Sequence, residues 1–201
     1  MAAVVVPFRE GKSRLSPARR VRRKLSLAML GDVLAACVTV GETTVVTGDD
    51  DGARIAAELG AHAVADPGDG QGAAVAAALY GREPGAVLVV NADVACVVPQ
   101  DLRALLAATP LAGIALVEAL DGTTNALSLP AAEVFAPLYG ADSARRFLAH
   151  ARALGLEAVS VVIPNLVEDV DTAEDLERLQ LRVGPRTQAA LVELDEEAPV
   201  E

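Results

Sequence analysis

Ala86-Val87-Leu88-Val89-Val90-Asn91-Ala92-Asp93 is an apolar run that stops abruptly on polar residues. Val87 to Val90 leave no polar face, so the segment reads as a strand covered on both sides. Buried strands of this kind belong to parallel sheets, whose crossover connections place helices on both faces.

The rest of the chain repeats that logic. Ala3 to Phe8 is a second buried strand, and Thr43 to Thr47, Ala61 to Ala65 and Ala158 to Ile163 are further candidates. Helical spacing links Val21, Leu25, Ala28, Met29 and Val33, with Ser16-Pro17 as the expected helix start and an end near Cys37. Asp50 to Leu59, Ala73 to Tyr80, Pro99 to Ala108 and a segment from Asp142 or Ser143 to Leu154 are also expected helices. Thr172 to Asp175 has the pattern of a capping box and opens the last of them. Gly113 to Glu118 and Ala126 to Leu129 are strands with only the turn Asp121 to Asn125 between them. The expected fold is therefore α/β: a three-layer, Rossmann-like, mostly parallel sheet with a small antiparallel insertion. One domain is expected over 1–190, followed by an acidic, disordered tail over 191–201.

Composition narrows the function. Aromatic residues make up 2% of the chain and the net charge is −11, which argues against a base-stacking or phosphate-tracking nucleic-acid surface. Of the 17 basic residues, eight fall between Arg9 and Lys24, so an acidic protein carries one local basic cluster. That pattern fits a single anionic ligand, or a solvated helix face over Arg19 to Lys24. Cys37 and Cys96 form no metal or disulfide pattern. No apolar run reaches membrane-spanning length, and the expected location is the cytoplasm.

In parallel sheets, ligands sit beyond the carboxyl ends of the strands. The loop after the first strand carries Gly11-Lys12-Ser13, but the position five residues before Gly11 is Val6, so it is not a Walker A loop. Gly68, Gly70 and Gly72 fail the dinucleotide spacing and follow the third strand, not the first. Lys12 and Arg14 remain as alternate cations able to face one polyphosphate. Asp93, just past the clearest strand, is placed to bind Mg²⁺, a hard ion that takes carboxylate and phosphate oxygens. Asp169 and Asp171 follow the last strand, and either could complete a carboxylate pair; the plainer alternative is favourable charge at a helix N-terminus.

The ordered set Lys12 to Pro17, Ala28 to Leu34, Ala65 to Gly68, Gly122 to Leu127, Tyr139 to Arg145, Asp169 to Thr172 and Val183 to Pro185 resembles the phospholactate/phosphoenolpyruvate guanylyltransferases of coenzyme F420 biosynthesis. The resemblance covers about residues 3–190 and implies a glycosyltransferase-A-like, nucleotide-diphospho-sugar transferase type of sheet. It implies Mg²⁺-dependent transfer of GMP from GTP to a small phospho-acid, with release of pyrophosphate. Lys12 and Arg14 would hold the triphosphate, with Gly70 and Gly72 beside the nucleotide. Asp93 and Asp169 would hold Mg²⁺, with Asp171 as the alternate. Thr124 or Asn125, Gly140 and Ser143 would meet the acceptor. A homodimer and hand-off of the labile product to the next transferase of that pathway are further implications. Two other readings stay open: a molybdopterin cytidylyltransferase-like enzyme, and a diverged nucleotide-binding protein without catalysis. The family usually has Leu-Asn where this chain has Gln71-Gly72, Gly where it has Asn91, Leu-Pro where it has Val94-Ala95, and in some relatives Thr where it has Asn125.

Overall fold

The computed structural model describes residues 2–9, 15–16 and 18–196. β1 (Ala2–Pro7), β2 (Gly41–Thr47), β3 (His62–Ala65) and β4 (Val87–Val90) pair in parallel, with β1 central to this half. β5 (Gly113–Glu118), β6 (Thr124–Leu129) and β7 (Glu157–Ser160) complete a seven-stranded sheet of order β3-β2-β1-β4-β6-β5-β7. β6 is antiparallel to both β4 and β5, whereas β5 and β7 are parallel. The antiparallel insertion expected between Gly113 and Leu129 is thus a β5–β6 hairpin. Its second strand wedges in beside β4 because the tight turn at Gly122 (φ 84°) leaves no room for a crossover helix.

Helices cover both faces. α1 (Arg19–Cys37), α2 (Asp50–Glu58) and α4 (Pro99–Ala108) pack on one side, where Leu30, Leu34, Ile55, Leu102 and Leu105 meet Val4, Val6, Leu88 and Val90. α3 (Gln71–Leu79) and α5 (Ser143–Ala153) cover the other, where Val75 and Phe147 meet Val5, Val87, Val89 and Leu127. The alternation of β4, with Val87 and Val89 on one core and Leu88 and Val90 on the other, explains its wholly apolar sequence.

A third core lies past the strand ends. Leu15, Met29, Ala95, Cys96, Val170, Leu179 and Ala190 gather there, joining α1 to α7 (Ala173–Leu179) and α8 (Pro185–Glu196). α8 extends beyond the boundary expected at 190, because Leu191 and Leu194 pack on this core; residues 197–201 lie outside the described residues. β7 ends at Ser160, short of the expected Ile163, and Pro164, which has no N–H for a ladder, begins the short α6 (Pro164–Val167).

Caps set other boundaries. Thr172 and Asp175 form the expected capping box: the Thr172 hydroxyl accepts from Asp175 N–H at 3.2 Å, and the Asp175 carboxylate accepts from Thr172 N–H at 3.0 Å. Ser16 is not the cap of α1. Its hydroxyl accepts from Ala18 N–H at 3.2 Å, a local turn that delays the helix to Arg19. Asp142 precedes α5 with φ 53° and makes no side-chain cap, while the Ser143 hydroxyl bonds Thr124. Among the described residues no helix is long and apolar enough to cross a membrane.

Candidate active site

Three carboxylates converge beyond β4. The backbone N–H of Val170 donates to Asp93 O at 3.0 Å, docking the 169–171 segment against the end of the strand. Val170 is fully buried in the third core. In extended chain, neighbours alternate sides, so burying Val170 turns Asp169 and Asp171 together toward Asp93. Asp93, Asp169 and Asp171 each offer a carboxylate oxygen, and these atoms lie within 4.8 Å of one another. Oxygens on opposite sides of an octahedral Mg²⁺ stand roughly 4.2 Å apart, so a small closure would fit all three to one ion. Three negative charges at this spacing repel, and a bound cation relieves that repulsion.

The segment is braced from outside the cluster. Arg182 donates to Glu168 at 2.6 Å and Arg178 donates to its other carboxylate oxygen. Burial alone would raise the Glu168 carboxyl, but hydrogen bonding and charge from Arg182 and Arg178 outweigh it and hold the group lowered. On the far side, the Asp175 carboxylate accepts from Asp171 N–H at 3.3 Å.

A cavity of about 210 Å³ opens beside Asp93, between the end of β1 and the start of α3. Phe8 and Ala74 give it apolar walls; Arg9, Asp66, Gln71 and Asn91 supply polar edges. Arg9 spans the rim and donates from both Nε and Nη2 to the Asp66 carboxylate, the latter at 2.6 Å. Hydrogen bonding from Arg9 holds Asp66 below the ordinary carboxylate range against the opposing effect of burial. Lys12 and Arg14 lie outside the described residues. Of the described residues nearest them, Arg9 is on the cavity rim and Leu15 is buried in the same core as Val170.

A second, more open cavity of about 540 Å³ lies across the start of α3, lined by Asp69 to Ala73, Pro137, Tyr139 and Gly140. Gly70 ends the preceding loop at φ 92° and stands at the N-cap of α3 without a side-chain cap; Gly140 has φ 113° just before α5. Gly70, Gly72 and Gly140 therefore share one cavity. Thr124 and Ser143, expected to meet the acceptor, do not line it. Both are buried, and their hydroxyls are hydrogen-bonded to each other at 3.0 Å. Asn125 is buried too, donating to Val167 O at 3.3 Å. Cys96 is a core residue whose thiol is pushed up mainly by burial, as its lack of a catalytic partner in sequence suggests.

A sequence profile of the family described as guanylyl transferase CofC like matches residues 2–190. The chain belongs to this family. Among curated CofC-like relatives, the phosphoenolpyruvate guanylyltransferase of Roseiflexus castenholzii is 38% identical, covering 90% of this chain and 88% of that protein. The one from Streptomyces coelicolor is 40% identical over 95% of this chain and 96% of its own. Solved structures share the fold. A protein of Desulfovibrio desulfuricans assigned as a nucleotide-diphospho-sugar transferase superposes with a TM-score of 0.76 at 20% identity, covering 97% and 95% of the two chains. A CMP-2-keto-3-deoxy-manno-octonic acid synthetase in complex with CTP gives 0.61 at 16% identity, covering 96% and 100%.

Within the CofC-like frame, the chain's departures at 71, 91 and 125 are not scattered. Gln71 Nε2 donates to Asn91 Oδ1 at 2.6 Å, and Asn91 Nδ2 approaches Asn125 Oδ1 at 3.4 Å and Thr124 O at 3.1 Å. A Cβ on Gly72 would stand 2.7 Å from the Pro137 Cβ, so the space of an Asn side chain there is closed. Sequence reading singled out Gln71 and Asn91 only as departures, and Asn125 as a departure and a candidate acceptor contact; the signal that could have joined them is that each is an amide where an apolar, small or hydroxyl residue is usual.

Proposed function

We propose that this chain is a Mg²⁺-dependent guanylyltransferase that joins GMP from GTP to phosphoenolpyruvate or 2-phospholactate and releases pyrophosphate. The observation that carries the reading is the convergence of Asp93, Asp169 and Asp171 beside a cavity at the carboxyl edge of the sheet. The relatives named above as phosphoenolpyruvate guanylyltransferases supply the donor and one acceptor.

The acceptor phosphate is already an anionic nucleophile, so the protein need not activate it by proton removal. One of its oxygens bonds to the α-phosphorus of GTP as the bond from that phosphorus to the β-phosphate bridge breaks, and pyrophosphate leaves with the electron pair. Asp93, Asp169 and Asp171 would hold Mg²⁺, whose contribution when bound is to neutralise phosphoryl charge. Lys12 and Arg14 would offset charge on the departing pyrophosphate. Gly70 and Gly72 let the backbone approach the substrates closely. The start of α3, which shares a cavity with Gly140, offers peptide N–H groups to an anionic acceptor, whereas at α5 the Ser143 and Ala144 N–H groups are already bonded to Gly140 O and Gly122 O. The Thr124–Ser143 pair fixes the start of α5, and Asn125 fixes the strand beside it. A cytoplasmic location and hand-off of the labile product to the next transferase of coenzyme F420 biosynthesis follow from this reading.

Pyrophosphate release should be measured with GTP, CTP, UTP and ATP against both acids, with and without Mg²⁺. The expected outcome is release with GTP, Mg²⁺ and one of the acids. Preference for CTP, or release with no combination, would overturn the proposal.

A further inference from the structure

Gln71 lines both cavities. Its amide is the free end of a directional hydrogen-bond chain, and the direction is fixed by two backbone carbonyls. Val167 O can only accept, so the Asn125 NH₂ group must face it and Asn125 Oδ1 must face away. Thr124 O and Asn125 Oδ1 likewise only accept, so the Asn91 NH₂ group faces them and Asn91 Oδ1 turns to Gln71. Gln71 therefore donates Nε2 to Asn91 at 2.6 Å, and its Oε1 is left as an oriented acceptor. Reversing any one amide would set NH₂ against NH₂, or oxygen against oxygen, somewhere along the chain.

An oriented acceptor discriminates among ligand atoms. Triphosphate and phospho-acid oxygens are themselves acceptors and gain nothing from it. It matches an N–H or O–H donor. The cavity that Gln71 shares with Asp93 has apolar walls at Phe8 and Ala74, suited to a flat ring, and acidic groups at its other end, suited to a metal-bound phosphate. We propose that Gln71 Oε1, oriented by Asn91 and Asn125, is a specificity-determining acceptor for a ring or amino N–H of the nucleobase. This rests on reading the smaller cavity as the GTP site.

Binding of nucleotides alone, with Mg²⁺ and no acceptor present, tests this by calorimetry on the full chain. GTP should be compared with ITP, which lacks the 2-amino group, with N1-methyl-GTP, which lacks the ring N–H, and with 2′-deoxy- and 3′-deoxy-GTP. The wild type should favour GTP over ITP or over N1-methyl-GTP by about tenfold, the scale of one neutral hydrogen bond. Gln71→Leu should abolish that gap, and Asn91→Ala, which leaves the Gln71 amide in place but unoriented, should narrow it; circular dichroism checks that both fold. A base-dependent gap that survives Gln71→Leu overturns the proposal. So does a gap confined to the deoxy nucleotides and lost in Gln71→Leu, which would assign Oε1 to a ribose hydroxyl. Absence of GTP binding by the wild type would overturn the guanylyltransferase reading along with it, whereas tight GTP binding indifferent to Gln71 would overturn this inference alone.

Discussion

Asp32→Ala should destabilise the protein by about 4 kcal/mol. Asp32 lies in the buried half of α1, and its carboxylate accepts three hydrogen bonds from the start of α8: Arg186 N–H at 3.0 Å, Thr187 N–H at 2.8 Å and the Thr187 hydroxyl at 2.7 Å. It acts as a helix cap supplied from the other end of the chain. Gly184 makes room for it, because a Cβ there would fall on the Asp32 carboxyl carbon. Each hydrogen bond to a charged acceptor contributes about 1.5–3 kcal/mol, but truncating one shared partner is less than additive. Thr187 is fully buried, so water does not readily replace the lost acceptor and the figure stays well above that of an exposed cap. Against a total of roughly 5–15 kcal/mol for a domain, the variant should still fold at 25 °C. Its Tm should drop by about 8–16 °C at a chain length near 200 residues. Urea unfolding at 25 °C, followed by circular dichroism, measures the loss directly; Asp32→Asn should fall between the two. A loss under about 1 kcal/mol for Asp32→Ala would refute the argument that this carboxylate anchors α8.

Other outcomes follow from the same geometry. Asp171→Asn should slow pyrophosphate release by about 100-fold or more and remove any Mg²⁺-dependent thermal stabilisation, with little change in stability without metal. Gly72→Asn should cost about 1–3 kcal/mol in urea unfolding, because its Cβ meets Pro137; an unchanged midpoint would show that this segment yields. Acid should weaken the fold through Asp66, Glu168 and Asp175, all held lowered by hydrogen bonds in the folded state. The unfolded chain takes up these protons first as pH falls, so their contribution is complete above the ordinary carboxylate range and is lost below about pH 4. Urea midpoints measured from pH 7 to pH 3 should therefore be flat at first and then decline; a decline beginning near pH 6 would implicate other groups.

How much was legible in the sequence depends on the range of the physics involved. Strands and helices announced themselves because burial on both faces leaves an unbroken apolar run and burial on one face imposes a local period. Pro99 to Ala108 and Gly113 to Glu118 are read to the residue. Sequence reading takes the helix opened by Thr172 as the last and misses α8, whose anchor, Asp32, lies 154 positions from Arg186. The basic loop at Lys12 and Arg14 could be read only as a site for an anion, and those two residues lie outside the described structure.

The sequence by itself determined the sheet of parallel strands, the position of Asp93 at the end of its clearest strand, and the family, because each depends on residue order and periodicity. Only the tertiary structure decided which carboxylates meet. Asp169 and Asp171 join Asp93 because Val170 is buried between them and its N–H is bound to Asp93 O. It also turned three separate departures into one object. Gln71, Asn91 and Asn125 stand far apart along the chain, yet backbone carbonyls that can only accept align their amides end to end at the junction of the two cavities. Sequence spacing carries no record of that direction, which exists only once donors and acceptors are fixed in space.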